Sequence, residues 1–450
     1  MTVREDVLHL KAPGNWINDP NGFIYYKGKY HLFFQYFPYA PVWGTMHWGH
    51  AVSDDLITWK HLGVALFPTK DYDRNGVFSG SALEKDGKLY LYYSAVRYLK
   101  EQDENIHQAE GAVETSQSMI ISEDGFHFDN WKDKKQIIPV IRDPKIADSA
   151  DARDPKVWEE NGRYYMIFGS TKYHQAGRLV LFSSEDGVSW EYLSQYTNAH
   201  YGHTMECPDL FQIDGKRVFI GSPMGIQEDG KEYANHSVCA FADFDPGTGK
   251  LTIADKYEYV DYGGDLYAPQ SNVDKEGRRV MIAWMRMPDP VNGPDGQPWN
   301  GMMCLPREIR IQNEKICFYV HPEVWKYFQE AESAEKVLKE GSALYIKADM
   351  KEGESLSIGG FDLEMKQGCI CTDRQDVFVE DSRYRTKSST PYVGENAQLD
   401  IFVEPNLIEI FVNQGQYTLS NVVYNLGSEV SGNVKITEIR KNMDKASKAW

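Results

Sequence analysis

The sequence predicts an all-β chain: a five-bladed β-propeller followed by a C-terminal antiparallel β-sandwich. Three observations carry this. One strand–turn–strand pattern recurs five times before residue 310. A second turn pattern falls between the copies. Beyond residue 340 the chain breaks into short alternating segments, and no long segment with a 3.6-residue period competes with them.

The five copies are DPNGFIYYKGKYHLFF (19–34), FSGSALEKDGKLYLYY (78–93), RDPKVWEENGRYYMIF (153–168), ECPDLFQIDGKRVFIG (206–221) and APQSNVDKEGRRVMIAW (268–284). Each has a polar lead-in, a strand, a Gly-basic turn and an aromatic or apolar strand, which is the pattern of a β-hairpin. The turn glycines Gly28, Gly87, Gly162, Gly215 and Gly277 lie 59, 75, 53 and 62 residues apart. Between copies, SDDLITW (53–59), SEDGFHF (122–128) and SEDGVSW (184–190) supply a second turn. Two hairpins per ~60 residues make one four-stranded sheet, and five such sheets suit a closed propeller. The propeller is expected over residues 1–318. A linker with a short helix is expected over 319–340, where HPEVWKYFQEAESAEKVLKE is the one helical candidate. ALYIKADM, SLSIGGFDLEM, LDIFVEPNLIEIFVN and YTLSNVVYNL then suit a sandwich over 341–450.

Composition narrows the function. The chain has 450 residues, enough for two domains, with 42% hydrophobic and 13% aromatic residues. A net charge of −18 and the lack of a Lys/Arg cluster argue against nucleic acid as a partner. No apolar run approaches the ~18 residues of a membrane span, and MTVREDVLHLK lacks the apolar stretch of a secretory signal. Six cysteines without C-x-x-C spacing read as reduced thiols in a cytoplasmic protein. The expected partner is a small neutral molecule. The oligomeric state is open, a homodimer included.

Aligning the copies on their turn glycines puts Asp19, Phe78, Arg153, Glu206 and Ala268 nine positions upstream, with Asp154 one further along. Three carboxylates, Asp19, Asp154 and Glu206, thus fall at the start of the first strand in three blades. Those strands line a propeller's central channel, so the three converge. Aligning on Pro20, Pro155 and Pro208 instead shifts Glu206 by one residue. Converging carboxylates raise one another's pKa and yield an acid and a base, as glycoside hydrolysis requires. Calcium is the rival ligand for such a trio. Taken singly, each element has a plainer reading. Asn18 to Gly22 is a good turn, Arg153–Asp154 a structural ion pair, and Trp43, Trp48 and Trp284 core residues. His200 and His203 near Glu206 have metal-like spacing, but strands rather than a helix are expected there. The joint placement lifts the carboxylates above these readings.

At these residues the chain resembles glycoside hydrolase family 32, the invertases, levanases, inulinases and sucrose-6-phosphate hydrolases. Trp16-Ile17-Asn18-Asp19-Pro20-Asn21-Gly22 resembles the family signature, with Ile in place of Met. Arg153-Asp154-Pro155 and Glu206-Cys207 resemble its two other motifs. His47 to His50, Phe78 to Ser81, Tyr267 to Gln270, Leu305 to Glu308 and Ile408 to Asn413 resemble further landmarks. Arg-Asp-Pro also occurs at 142–144, but only the second copy is in blade register, so Asp143 is expected in a loop.

The resemblance implies a retaining β-fructofuranosidase with Asp19 as nucleophile, Glu206 as acid/base and Asp154 as transition-state stabiliser. Asn18, Gln35, Trp43, Phe78, Ser79, Arg153 and Trp284 would line the fructosyl pocket, with neither metal nor cofactor. Arg153 is expected to keep Asp154 ionised, and Cys207 to be a weak polar neighbour. Sucrose or short fructo-oligosaccharides are the expected substrates. Sucrose-6-phosphate hydrolase and exo-levanase or inulinase are the runners-up, and a non-catalytic sugar-binding propeller is the alternative of another class. Arg74 and Arg97 are the basic residues placed near the rim, read as surface charges pairing with Asp71 and Asp73.

Overall fold

A computed structural model describes residues 6–226, 231–330 and 343–442. Five antiparallel four-strand units follow one another. Blade I runs through Asn15–Tyr26, Lys29–Phe37, His47–Ser53 and Trp59–Leu66, and blade II through Gly76–Lys85, Lys88–Tyr98, Val113–Ser122 and Lys135–Ile138. Blade III has Arg153–Glu160, Arg163–Lys172, Ala176–Ser184 and Glu191–Asn198; blade IV has Thr204–Ile213, Lys216–Met224, Val238–Asp245 and Lys250–Ile253. Blade V has Leu266–Val273, Arg279–Met285, Arg307–Gln312 and Lys315–Val320. The five repeated hairpins are the first two strands of each blade. A single pair, Thr171 with Thr204, joins blades III and IV into one sheet.

The second turn pattern has a local cause. In each copy a serine hydroxyl and an aspartate accept the backbone N–H groups that the turn leaves without ladder partners. Ser122 and Asp124 take Gly125, Phe126 and His127, while Ser184 and Asp186 take Gly187, Val188 and Ser189. The ring closes through a segment between the second and third strands of blade V. Pro298–Asn300 pairs in parallel with Asn15 and Trp16 at the start of blade I.

After Val320 the expected helix shrinks to Pro322–Trp325, with His321 as N-cap accepting from Glu323 N–H. Phe328–Glu330 is already a strand, paired with Lys435–Asn442. The rest of that helical expectation falls largely on 331–342, outside the described residues. Two sheets then face each other. Among the described residues one has six strands, in the order Phe328–Glu330, Lys435–Asn442, Leu344–Lys351, Asn396–Val403, Leu407–Val412 and Tyr417–Val422. The other has five: Lys387–Ser389, Cys369–Asp373, Phe361–Lys366, Ser355–Ile358 and Val430–Gly432. Their inner faces share one apolar core, which includes Ile346, Leu363, Ile401 and Leu419.

Leu407–Val412 and Tyr417–Val422 do not alternate; every residue is buried. Their outer face packs on the propeller around buried charges. Arg307 of blade V is fully buried and donates to Asp261 at 2.8 Å and to Glu409 of the sandwich at 2.6 Å. His9 lies between Glu404 and Glu409, its Nε2 2.7 Å from Glu409. Burial alone would lower this imidazole, but the two carboxylates raise it to about 10. Its folded pKa exceeds the ordinary 6.5, so the stability it contributes is complete below that pH and lost as pH rises through about 10. The melting temperature is therefore expected to fall between pH 7 and 10, and His9→Gln to flatten that slope. An equally steep slope in the variant would assign it to other groups.

Candidate active site

The innermost strand of every blade carries a β-bulge at one height. Ladder pairing breaks between Ile17 and Pro20, Val77 and Gly80, Arg153 and Lys156, Glu206 and Asp209, and Tyr267 and Gln270. Each break leaves two residues unpaired and re-aims their side chains. Asp154, Cys207 and Ala268, the first bulge residues of blades III to V, all have positive φ (67°, 46° and 51°). Their freed N–H groups find new acceptors. Asp154 donates to Ser94 Oγ, Cys207 to Asp154 Oδ2, and Ala268 to Ser222 Oγ, at 2.9, 2.9 and 3.1 Å.

The bulges correct the expected register. The three carboxylates do not occupy equivalent positions; they are staggered. Glu206 is the last paired residue before its bulge, Asp154 the first residue within its bulge, and Asp19 the second. The turn glycine misleads because strand length from bulge to turn varies: Pro20 to Tyr26 in blade I, but Asp209 to Ile213 in blade IV.

All three face one cavity of about 200 Å³, lined by Asn18, Asp19, Gln35, Trp43, Phe78, Ser79, Arg153, Asp154, Glu206, Cys207, Tyr267 and Trp284. Asp19 accepts from Ser79 Oγ at 2.6 Å and Asn18 Nδ2 at 3.1 Å, and Asn18 is itself held by the Trp16 indole N–H at 2.9 Å. Burial raises the Asp19 carboxyl above the usual range, Ser79 and Asn18 oppose the rise, and the Glu206 charge adds to it. Burial likewise pushes Asp154 up to about 7 against the pull of Arg153, with the charges of Glu206 and Asp19 contributing.

Glu206 is held differently. Arg153 donates to its Oε1 from Nε and Nη2, at 3.2 and 2.9 Å, and Tyr267 donates to its Oε2 at 2.8 Å. The expected Arg153–Asp154 pair is thus corrected: the guanidinium is turned to Glu206 and to Asp151. Burial and anionic neighbours push the Cys207 thiol well up, so it stays protonated. It points between Asp19 and Asp154, 3.6 and 3.5 Å from them, closer to the carboxylates than the sequence reading assumed.

Every residue expected in the pocket lines it. Tyr267 was missed. Its side chain belongs to the last paired position before the bulge in blade V, the counterpart of Glu206, which only the true register reveals. Asp143 is exposed on a loop and accepts from Lys145 N–H. His200 and His203 are exposed, and among the described residues no group of three His, Cys, Asp or Glu is placed to hold a metal ion. Arg97 pairs with Asp71 and Glu114, both at 2.6 Å, and Arg74 lies 3.7 Å from Asp71. Asp73 departs from its expected role, being fully buried against Lys134 at 2.7 Å.

A propeller channel that brings two differently partnered carboxylates into one small cavity has the pair of groups that glycoside hydrolysis uses. The chain belongs to glycosyl hydrolase family 32: the family's N-terminal domain matches residues 9–322 and its C-terminal domain residues 338–447. It is 33% identical over 442 residues to a sucrose-6-phosphate hydrolase of Bacillus subtilis, covering 92% of this chain and 87% of that one. It is 31% identical over 442 residues to a raffinose invertase of Escherichia coli, with 93% and 89% covered. A solved Bombyx mori β-fructofuranosidase superposes with a TM-score of 0.78 at 26% identity, over 97% of this chain and 92% of that one.

Proposed function

We propose that the chain is a retaining β-fructofuranosidase acting on sucrose and short fructo-oligosaccharides. The observation that carries this is the unequal provision for two carboxylates in one small pocket. Asp19 has neutral donors and an open face, as a nucleophile needs. Glu206 has its oxygens fixed in direction by Arg153 and Tyr267, donors that suit the ionised form in which it acts as the base of the second step. In the first step Asp19 attacks the anomeric carbon, and Glu206 protonates the departing glycosidic oxygen. In the second, Glu206 takes a proton from water, which displaces Asp19 and returns the sugar with its configuration retained. Asp154, oriented by Cys207 N–H, takes hydrogen bonds from fructosyl hydroxyls. The Trp284 indole N–H is buried with no partner among the described residues, which suits a sugar hydroxyl. A variant of the Bombyx mori enzyme was solved in complex with sucrose.

Substrate choice rests on charge. The relatives are named for both phosphorylated and plain sugars. Arg74 and Arg97, the arginines that could meet a phosphate, already have Asp71 or Glu114 as partners, and the net charge of −18 repels a dianion. The six unpaired thiols support a reducing, cytoplasmic setting. The test compares initial rates on sucrose, sucrose 6-phosphate, kestose and inulin, and follows the product by NMR. β-Fructose is expected first, with sucrose and kestose preferred. A more than tenfold preference for the phosphate that weakens with salt would overturn the substrate choice. Release of the α anomer would overturn the mechanism.

A further inference from the structure

Arg286, which lines no part of the pocket, occupies a costly position: a buried guanidinium whose hydrogen bonds run to main-chain carbonyls. Its Nε donates to Asp265 O at 3.2 Å, and its Nη2 to Tyr233 O, Asn235 O and Gly264 O, each at 2.9 Å. Among the described residues no carboxylate lies within hydrogen-bond reach of it. Its guanidinium carbon lies over two aromatic faces, 4.7 Å from the Tyr267 ring and 5.0 Å from Tyr233. A buried cation on carbonyls alone is a poor device for stability.

Tyr267 shows what the cation serves. Its hydroxyl lies 2.8 Å from Glu206 Oε2 and 3.0 Å from Ser222 O, and it has one proton for two acceptors. When Glu206 is ionised, Tyr267 donates to it. When Glu206 is protonated, Tyr267 turns its proton to Ser222 O and accepts from the acid. One hydroxyl thus serves both states that an acid/base passes through. A cation against the ring's face makes the phenol a better donor, which strengthens its bond to the ionised form.

The seat of Arg286 is closed from the other domain. The carboxylate of Asp265, whose backbone oxygen holds Arg286, is paired with Arg374 of the sandwich and accepts from Val422 N–H at 2.8 Å. We propose that Arg286 is a positioning residue for Glu206 that acts through Tyr267, and that the sandwich completes its seat through the Asp265–Arg374 pair. This rests on the reading of Glu206 as acid/base.

The test is a double-mutant cycle with pH profiles. Besides Tyr267, the groups facing Glu206 are Arg153 and Asp154 of blade III, Asp19 of blade I and its own neighbour Cys207. All stay in place in Tyr267→Phe and Arg286→Lys. Each single variant is expected to lose about tenfold in kcat on sucrose, with KM little changed. The alkaline limb of kcat/KM is expected to move up, by about one pH unit in Tyr267→Phe, where ionised Glu206 loses a donor, and by less in Arg286→Lys, where that donor is weakened. The double variant is expected to be no worse than Tyr267→Phe alone. Arg374→Lys should show a smaller shift of the same sign. Melting temperatures identify any variant whose loss is unfolding. Additive losses, or a lowered melting temperature with an unmoved pH profile, would make Arg286 purely structural and overturn the inference. Glu206→Gln is the control. If it keeps full activity on sucrose, the underlying reading fails; if it is impaired while the cycle is additive, only this inference fails.

Discussion

Asp19→Ala is expected to lose about 10⁴-fold or more in kcat on every fructosyl substrate, because the nucleophile is part of a unit whose remaining members cannot replace it. A better-controlled change is Asp19→Asn, which keeps the shape that Ser79 and Asn18 hold. Stability should then move the other way from activity. Asp19 is half-buried at the pocket, and its desolvation raises the carboxyl, with the Glu206 charge adding to the rise. A carboxyl whose folded pKa is raised favours the fold at low pH, and that advantage is lost as pH rises through the folded value. At neutral pH the ionised group is therefore a cost to the wild type that the amide does not carry. The melting temperature of Asp19→Asn at pH 7 is expected to rise, and its gain to shrink at pH 4. Assays of purified protein and melting curves at both pH values check this. Near-normal rates in Asp19→Ala would remove the residue from the chemistry. A marked fall in melting temperature for Asp19→Asn would show that the carboxylate is held for the fold.

Much of this site was legible because propeller blades repeat. The Gly-basic turns mark five hairpins, and the motif residues fall at the start of each first strand, so convergence follows from topology alone. The stagger was not legible. A bulge depends on which residues pair across a ladder, and nothing in ECPD or RDPK announces that Cys207-Pro208 and Asp154-Pro155 are the unpaired couples. Without the bulge register, Tyr267 read as a landmark rather than as the counterpart of Glu206. The direction of Arg153 was hidden for a related reason: its sequence neighbour Asp154 turns away in a left-handed conformation, and its partner Glu206 is 53 residues on. The buried charges between domains were least legible. His9 meets Glu404 and Glu409 across about four hundred residues of chain, and Arg307 meets Glu409 across 102. No local pattern encodes such pairs. The short helix at 322 illustrates tertiary override: Phe328–Glu330 follows it at once as an edge strand beside Lys435–Asn442, where pairing outweighs helical propensity.

Glu206→Gln is the second large effect, and it separates proton donation from mere placement. The amide has nearly the shape of the carboxyl and should fit the same cradle. Its carbonyl oxygen can accept from Arg153, and its NH₂ can donate to the Tyr267 hydroxyl while that hydroxyl donates to Ser222 O, the arrangement that a protonated acid also uses. The fold and the fructosyl pocket should therefore survive, and KM on sucrose should change little. What the amide cannot do is release a proton. Glucose leaves as a poor alkoxide unless it is protonated, so kcat on sucrose is expected to fall about 10³-fold. β-Fructofuranosyl fluoride needs far less help, since fluoride departs nearly unassisted, and the loss there is expected to stay within about tenfold until the second step limits the rate. That second step also calls on Glu206, now as the base that takes a proton from water. The fluoride should thus show a fast burst of released fluoride, near one equivalent of enzyme, followed by slow turnover as the fructosyl-Asp19 ester accumulates. Added azide, which needs no base, should speed that turnover and yield a β-fructosyl azide. Stopped-flow fluoride release and NMR of the azide product check both. Equal losses on sucrose and the fluoride, with no burst and no azide product, would mean that Glu206 supports the pocket without carrying the proton, and the acid/base would have to be sought elsewhere around Asp19.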